Sequence, residues 1–189
     1  MKPKLVEMDK VIEQIHGHLT ADPTKRTVMF VLGDHGMTDS GNHGGSSPEE
    51  VNTAFLAISH PHLDKQSPVK IEMINQLDIA PTISSLFGVP IPQFGIGKVV
   101  RQLLDGRVSD SVLCTLLHNN LVTLSKQDPL VKLQTFQNCQ TCTKDCKKCI
   151  DQMEKELQSS RERLSGQYGT FNIPVLVLCL LVSTVVVSY

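Results

Sequence analysis

An α/β fold organised on a parallel sheet is the expectation, and three observations carry it. Val28-Met29-Phe30-Val31-Leu32 is an unbroken apolar run of strand length, the pattern of a strand buried on both faces. The run stops at Gly33-Asp34-His35-Gly36, so a carboxylate and an imidazole emerge together where the strand gives way to a loop. Open α/β sheets place their ligands outside the carboxyl ends of strands. Further on, Asp78 to Pro92 reads as a short scaffold helix with one apolar face and its own stop signal.

Taken in order, the chain begins with helical periodicity, placing Leu5, Met8, Val11, Ile12 and Ile15 on one face. No apolar core of a leader lies in this stretch, so neither a signal peptide nor a signal anchor is expected from it. The strand at 28–32 opens into a loop holding Gly33, Gly36, Gly41, Gly44 and Gly45. Glycines at that density seldom serve packing, because each costs roughly 0.5–1 kcal/mol of ordering entropy relative to alanine. Their expected use is close approach of backbone and a metal-bound substrate. In the helix after Asp78, Pro81 falls early, where a missing N–H costs nothing. Ile79, Ile83, Leu86 and Phe87 share a face, Gly88 stops the helix, and Pro90 and Pro92 prevent its continuation. Asp78 is expected to cap its N-terminus.

The remainder is expected to be helical. Val112, Leu113, Leu116, Leu117, Leu121 and Leu124 form one apolar face, Asp128-Pro129 breaks the pattern, and a second polar helix runs from Val131 to about Leu164. The last 19 residues, Phe171 to Tyr189, carry no charge. As a helix they would span on the order of 28 Å, about one bilayer core. A transmembrane helix is expected there, with Arg161, Arg163 and Tyr168 near the interface. Three regions follow: 1–104, 105–170 and 171–189. Eighteen Lys and Arg against nineteen Asp and Glu, with no basic stripe interleaved with aromatics, give no footing for a nucleic-acid partner.

The chemistry concentrates at Asp34, His35 and His43. Carboxylate oxygen and neutral imidazole nitrogen are ligands that zinc accepts, so the loop reads as half of a metal site. On the residues alone, a turn begun by Asp34, with His35 bonded to a nearby carbonyl, remains the competing reading. His60 and His62, around Pro61, suit a solvated turn, and His16, His18 and His118 suit helix surface.

Asp34-His35-Gly36-Met37, the following His43-Gly44, the stretch Glu50 to Ser59, and Gln76 to Pro92 with its Asp-Ile-Ala-Pro-Thr and Leu-Phe-Gly-Val-Pro pattern resemble the alkaline-phosphatase superfamily. More narrowly, they resemble the glycosylphosphatidylinositol (GPI) ethanolamine phosphate transferases, with Glu50-Val51-Asn52-Thr53 and Val89-Pro90-Ile91-Pro92 most like the transferase 2 branch. The resemblance covers roughly residues 1–127. It implies an incomplete alkaline-phosphatase-like domain over 1–104, while the helical membrane-proximal region over 105–170 and the transmembrane helix over 171–189 are read from the residues themselves. It also implies phosphoryl transfer through two divalent ions, zinc in expectation, with phosphoethanolamine passing from phosphatidylethanolamine to a mannose of the GPI precursor. Asp34 and His35 would then be ligands of the ion beside the nucleophile, and His43 would bind the second ion or the substrate phosphate. The family's threonine nucleophile and its other metal ligands belong to segments upstream of those matched here, and neither Thr38 nor Thr53 replaces the nucleophile. The chain is therefore expected to be inactive by itself. The implied location is the endoplasmic reticulum membrane, catalytic part lumenal, with a small multi-span stabilising subunit as a further partner.

Cys139-x2-Cys142-x3-Cys146-x2-Cys149 stands apart from that resemblance. On one straight helix these four would form a single stripe, which cannot surround a tetrahedral ion. Disulfides, unpaired or palmitoylated thiols, and a metal all remain open, with disulfides favoured in a lumenal setting. Cys114 and Cys179 read as packing residues. Two other functions are consistent with the sequence: a non-catalytic membrane-tethered adaptor, and an ecto-phosphodiesterase of the same superfamily anchored through its tail, with Ser165-Gly166 as small residues before a short spacer.

Overall fold

The computed structural model describes residues 2–25, 27–45, 47–59, 74–139, 142 and 145–168. The transmembrane segment expected over 171–189, together with His60, His62 and Cys179, lies outside the described residues. Among the described residues, no helix is long and apolar enough to cross a membrane. The chain divides into two compact units, Met1–Gln76 and Leu77–Tyr189.

The first unit opens with helix α1 (Lys2–Thr20), none of whose residues is buried. Its apolar face therefore stays exposed, with Leu5, Met8, Val11 and Ile15 all open to solvent. Strand β1 (Val28–Leu32) coincides with the apolar run, and β3 (Phe55–Ser59) pairs with it from Val28↔Ser59 to Leu32↔Phe55. Between them lie the short helix α2 (Pro48–Val51) and strand β2 (Asn52–Thr53), which pairs with β4 (Ile74–Asn75). Phe30 and Phe55 fasten the β1–β3 pair, their rings 5.8 Å apart and tilted by 42°.

Here the expected fold class is corrected. Among the described residues there are two sheets, each of two antiparallel strands, and the described chain is mainly helical. β1 carries apolar residues on both faces, as a buried parallel strand would, yet both of its ends are exposed. An apolar run reports that a strand can be covered on both sides, but it carries no information about the direction of its neighbour. The connection from residue 33 to 54 is long enough for a parallel crossover. It instead turns back to lay β3 antiparallel, so length did not decide the direction either.

The second unit is helical. Helix α3 (Ile79–Phe87) ends at Gly88, whose φ of 65° is the left-handed conformation a helix stop requires. Its buried residues are Pro81, Thr82, Ser84 and Ser85, while Leu86 and Phe87 of the expected apolar face point to solvent. Helix α4 (Asp110–Ser125) starts at Ser109, whose hydroxyl accepts from the Val112 N–H at 3.4 Å. It packs Leu113, Leu117, Leu121 and Leu124 against Ile150, Met153, Leu157 and Leu164 of helix α5 (Cys146–Tyr168). Fully burying one such side chain is worth about 1.5–3 kcal/mol, so this seam is the main source of the unit's stability.

Residues 97–100 have no strand partner among the described residues, and buried side chains bond to their backbone. The Asn120 amide takes both roles, accepting from Val99 N–H at 2.7 Å and donating to Gly97 C=O at 3.1 Å. The Thr82 hydroxyl accepts from Val100 N–H at 2.9 Å and donates to Asp78 C=O at 2.6 Å. Asp78 itself makes no side-chain cap; its carboxylate is buried and accepts from Lys98 N–H at 2.9 Å. His118 is also buried rather than on a helix surface.

The helix expected from Val131 to Leu164 is interrupted. A 3-10 helix, Leu133–Cys139, precedes α5, and between them Cys142 (φ 40°) and Asp145 (φ 54°) adopt left-handed conformations that end one helix before the next begins. Arg161 and Arg163, expected near a bilayer interface, pair instead with Asp78 and Asp128.

Candidate metal centre

The loop after β1 places Asp34 and His35 beside each other. His35 Nδ1 lies 2.7 Å from the Gly36 carbonyl oxygen, which can only accept, so Nδ1 carries the proton. That leaves the Nε2 lone pair free, and Nε2 lies 3.5 Å from Asp34 Oδ2. Two ligands bound about 2.0–2.1 Å from a tetrahedral ion would be separated by roughly 3.4 Å. The separation and the donor types therefore both fit a shared divalent ion. The backbone hydrogen bond fixing Nδ1–H is the usual support of a metal-binding histidine.

Asp34 is ready for the same role. The His35 backbone N–H donates to its Oδ1 at 3.0 Å and holds its carboxyl below the ordinary carboxylate value, helped by its own N–H. The side chain is open to solvent, so one face of the pair remains accessible.

His43 joins the pair by stacking rather than by converging. Its ring lies 4.6 Å from that of His35, with 23° between the planes. The turn leading to it is closed by Thr38, whose N–H donates to Asn42 C=O at 3.0 Å while its hydroxyl accepts from Asn42 N–H at 3.0 Å. Gly41 sits in that turn with φ 85°, a conformation costly for a residue with a Cβ.

The loop is held from behind by residues 49–52. Gly36 N–H donates to Glu50 C=O at 3.0 Å, and a Cβ on Gly36 would lie 1.9 Å from the Glu49 carbonyl oxygen. This glycine therefore serves packing, contrary to the expected use of the loop's glycines. The Glu50 carboxylate accepts from Gly45 N–H at 3.2 Å and Ser47 N–H at 3.4 Å, gathering the far end of the loop. Sequence reasoning passed over Glu50; its signal was Ser47-Pro48-Glu49-Glu50, the spacing of a capping box.

The cysteines divide differently. Cys139 and Cys149 form a disulfide, whereas Cys142 and Cys146 are free thiols. They join Cys114 of α4, and the three sulfurs lie within 4.8 Å of one another. Among the described residues, this is the set of three metal-ligating groups gathered closely enough to hold an ion.

No family model matches the chain, and no solved structure matches it. Among curated proteins, GPI ethanolamine phosphate transferase 2 of Kluyveromyces lactis is 32% identical over 209 residues, which cover 98% of this chain and 25% of that protein. The human GPI ethanolamine phosphate transferase 2, catalytic subunit, is 36% identical over 127 residues, 65% of this chain and 13% of its own length. The human GPI ethanolamine phosphate transferase 3, catalytic subunit, is 40% identical over 107 residues, 56% of this chain and 10% of its own length. The chain thus spans a quarter or less of these relatives. Over that span it belongs to the GPI ethanolamine phosphate transferase family, with its resemblance running to transferase 2.

Proposed function

We propose that this chain contributes the Asp34–His35 arm of the centre that moves phosphoethanolamine from phosphatidylethanolamine to a mannose of the GPI-anchor precursor. The observation that carries this reading is the free Nε2 of His35, 3.5 Å from Asp34 Oδ2, with its tautomer fixed by Gly36. A divalent ion of the zinc class, when bound, would neutralise charge developing on the phosphate during in-line displacement.

The chain's own residues prepare that chemistry. Asp34 supplies a carboxylate kept ionised by the His35 N–H. His35 supplies a neutral nitrogen aimed by its bond to Gly36. His43, stacked on His35, has ring nitrogens of its own for a second ion or for the substrate phosphate. The nucleophile and the remaining ligands are assigned to other segments of the full-length enzyme. This reading places the protein at the endoplasmic reticulum membrane, catalytic part lumenal, with GPI-precursor glycolipid as acceptor and a small multi-span subunit as stabilising partner.

The test is transfer of labelled phosphoethanolamine in membranes carrying the full-length enzyme. Asp34→Ala and His35→Ala are each expected to lower transfer well beyond the 10–100-fold typical of losing an outer-shell partner. Full activity in either variant would sink the assignment.

A further inference from the structure

We propose that Cys114, Cys142 and Cys146 bind one thiophilic cation, zinc(II) or copper(I), at a site separate in sequence and chemistry from the Asp34–His35 pair. Three separately positioned pieces of backbone deliver the sulfurs: the second turn of α4, the left-handed residue Cys142, and the first residue of α5. Their sulfurs lie within 4.8 Å of one another. Metal–sulfur bonds of about 2.3 Å place tetrahedral ligands roughly 3.8 Å apart, so closing onto an ion requires each sulfur to move by less than about 1 Å.

Other features prepare the cluster. The Cys139–Cys149 disulfide ties together the ends of the segment carrying Cys142 and Cys146. Cys114 and Cys142 are buried in the core between α4 and α5, so a bound ion would be shielded on that side. The thiols have only weak partners of their own: Cys146 donates to Cys142 C=O at 2.7 Å, and Cys114 Sγ is 4.0 Å from Cys146 C=O. Burial pushes Cys114 and Cys142 upward, and Cys142 does the same to Cys146, so before an ion binds the three are neutral thiols. Binding would exchange three S–H bonds for three metal–thiolate bonds and release three protons to solvent, with no change of oxidation state. A fourth position remains for water or for Asp110, one helical turn before Cys114. Soft thiolates select zinc and copper(I) over magnesium, calcium or manganese.

The experiment uses the full chain in detergent, carrying Asp34→Ala, His35→Ala and His43→Ala so that bound metal reports on the cysteines alone. Elemental analysis after equilibration with zinc or with copper(I) in separate arms distinguishes the two ions. One ion per chain is expected, with maleimide labelling of Cys114, Cys142 and Cys146 suppressed at least tenfold until a chelator is added. Cys142→Ser is expected to lower metal content at least tenfold. Cobalt substitution of the unmutated cysteine set guards against a folding defect in that variant, because a thiolate-to-cobalt charge-transfer band requires the assembled cluster. A second disulfide among Cys114, Cys142 and Cys146 in a non-reduced peptide map would overturn the proposal. So would free labelling of Cys114, Cys142 and Cys146 in the zinc arm and the copper(I) arm alike.

Discussion

Arg161 Nη1 lies 2.6 Å from Asp78 Oδ2, an ion pair closed across 83 residues between α5 and the residue before α3. Both partners are largely withdrawn from water, with side chains 15% and 4% exposed. Burial pushes the Asp78 carboxyl up, while Lys98 N–H and the Arg161 guanidinium act against it. The arginine thus holds a charge that its surroundings would otherwise reject. Breaking a buried pair from one side costs about 3–5 kcal/mol. Arg161→Ala is expected to lose that much in urea unfolding, and Asp78→Asn in the same background to recover part of it. A loss below 1 kcal/mol would show that the pair is not buried in solution.

Asp128 should make stability fall at acid pH. Burial would raise its carboxyl, but Arg163, Ser160 and the Leu130 N–H together hold it below the ordinary value. Its Oδ2 lies 2.7 Å from Arg163 Nη2. A depressed carboxylate stabilises the fold above its unfolded pKa, about 3.9, and that contribution is lost as pH falls through the lower folded value. Asp128→Asn should flatten this acid limb in unfolding midpoints measured across pH. An unchanged limb would mean that Arg163 does not hold Asp128 ionised.

His118 should act in a separate window. Burial lowers its pKa from 6.5, and its Nδ1 is buried without a hydrogen-bond partner among the described residues. The unfolded chain then takes up a proton below about 6.5 that the folded chain refuses, so stability falls as pH drops from there toward the folded value. His118→Leu should remove that slope and leave the lower one due to Asp128. Persistence of the slope would place its origin elsewhere.

Gly36 and Gly41 separate two uses of glycine in one loop. Alanine at 36 would drive its Cβ to 1.9 Å from a backbone oxygen, whereas alanine at 41 meets nothing within 4 Å and pays only for its φ of 85°. Gly41→Ala should cost about 1 kcal/mol. Gly36→Ala should cost more and should also move His35, whose Nδ1 is bonded to the Gly36 carbonyl. Equal effects of the two on stability and metal binding would contradict this packing.

These contrasts show which parts of the molecule were legible in its sequence. β1 was legible because five apolar residues stop at Gly33, and the end of α3 because Gly88 supplies the left-handed residue. That Asp34 and His35 lie side by side was legible because they are neighbours in the chain. The direction of β3 was not, since apolarity along a strand is blind to its partner. Asp78 resembled a cap because a cap needs only local spacing, while its actual partner lies 83 residues away. The cysteine spacing suggested a helical stripe until two left-handed residues, Cys142 and Asp145, broke the helix and turned two thiols toward Cys114.

The central claim is that Asp34 and His35 share one divalent ion in the assembled transferase. Anomalous diffraction at the zinc edge, from crystals of the full-length enzyme soaked in zinc, addresses it directly. The account predicts a peak about 2.0–2.2 Å from both Asp34 Oδ2 and His35 Nε2. Zinc bound elsewhere in the enzyme, with no peak at this pair, would contradict it.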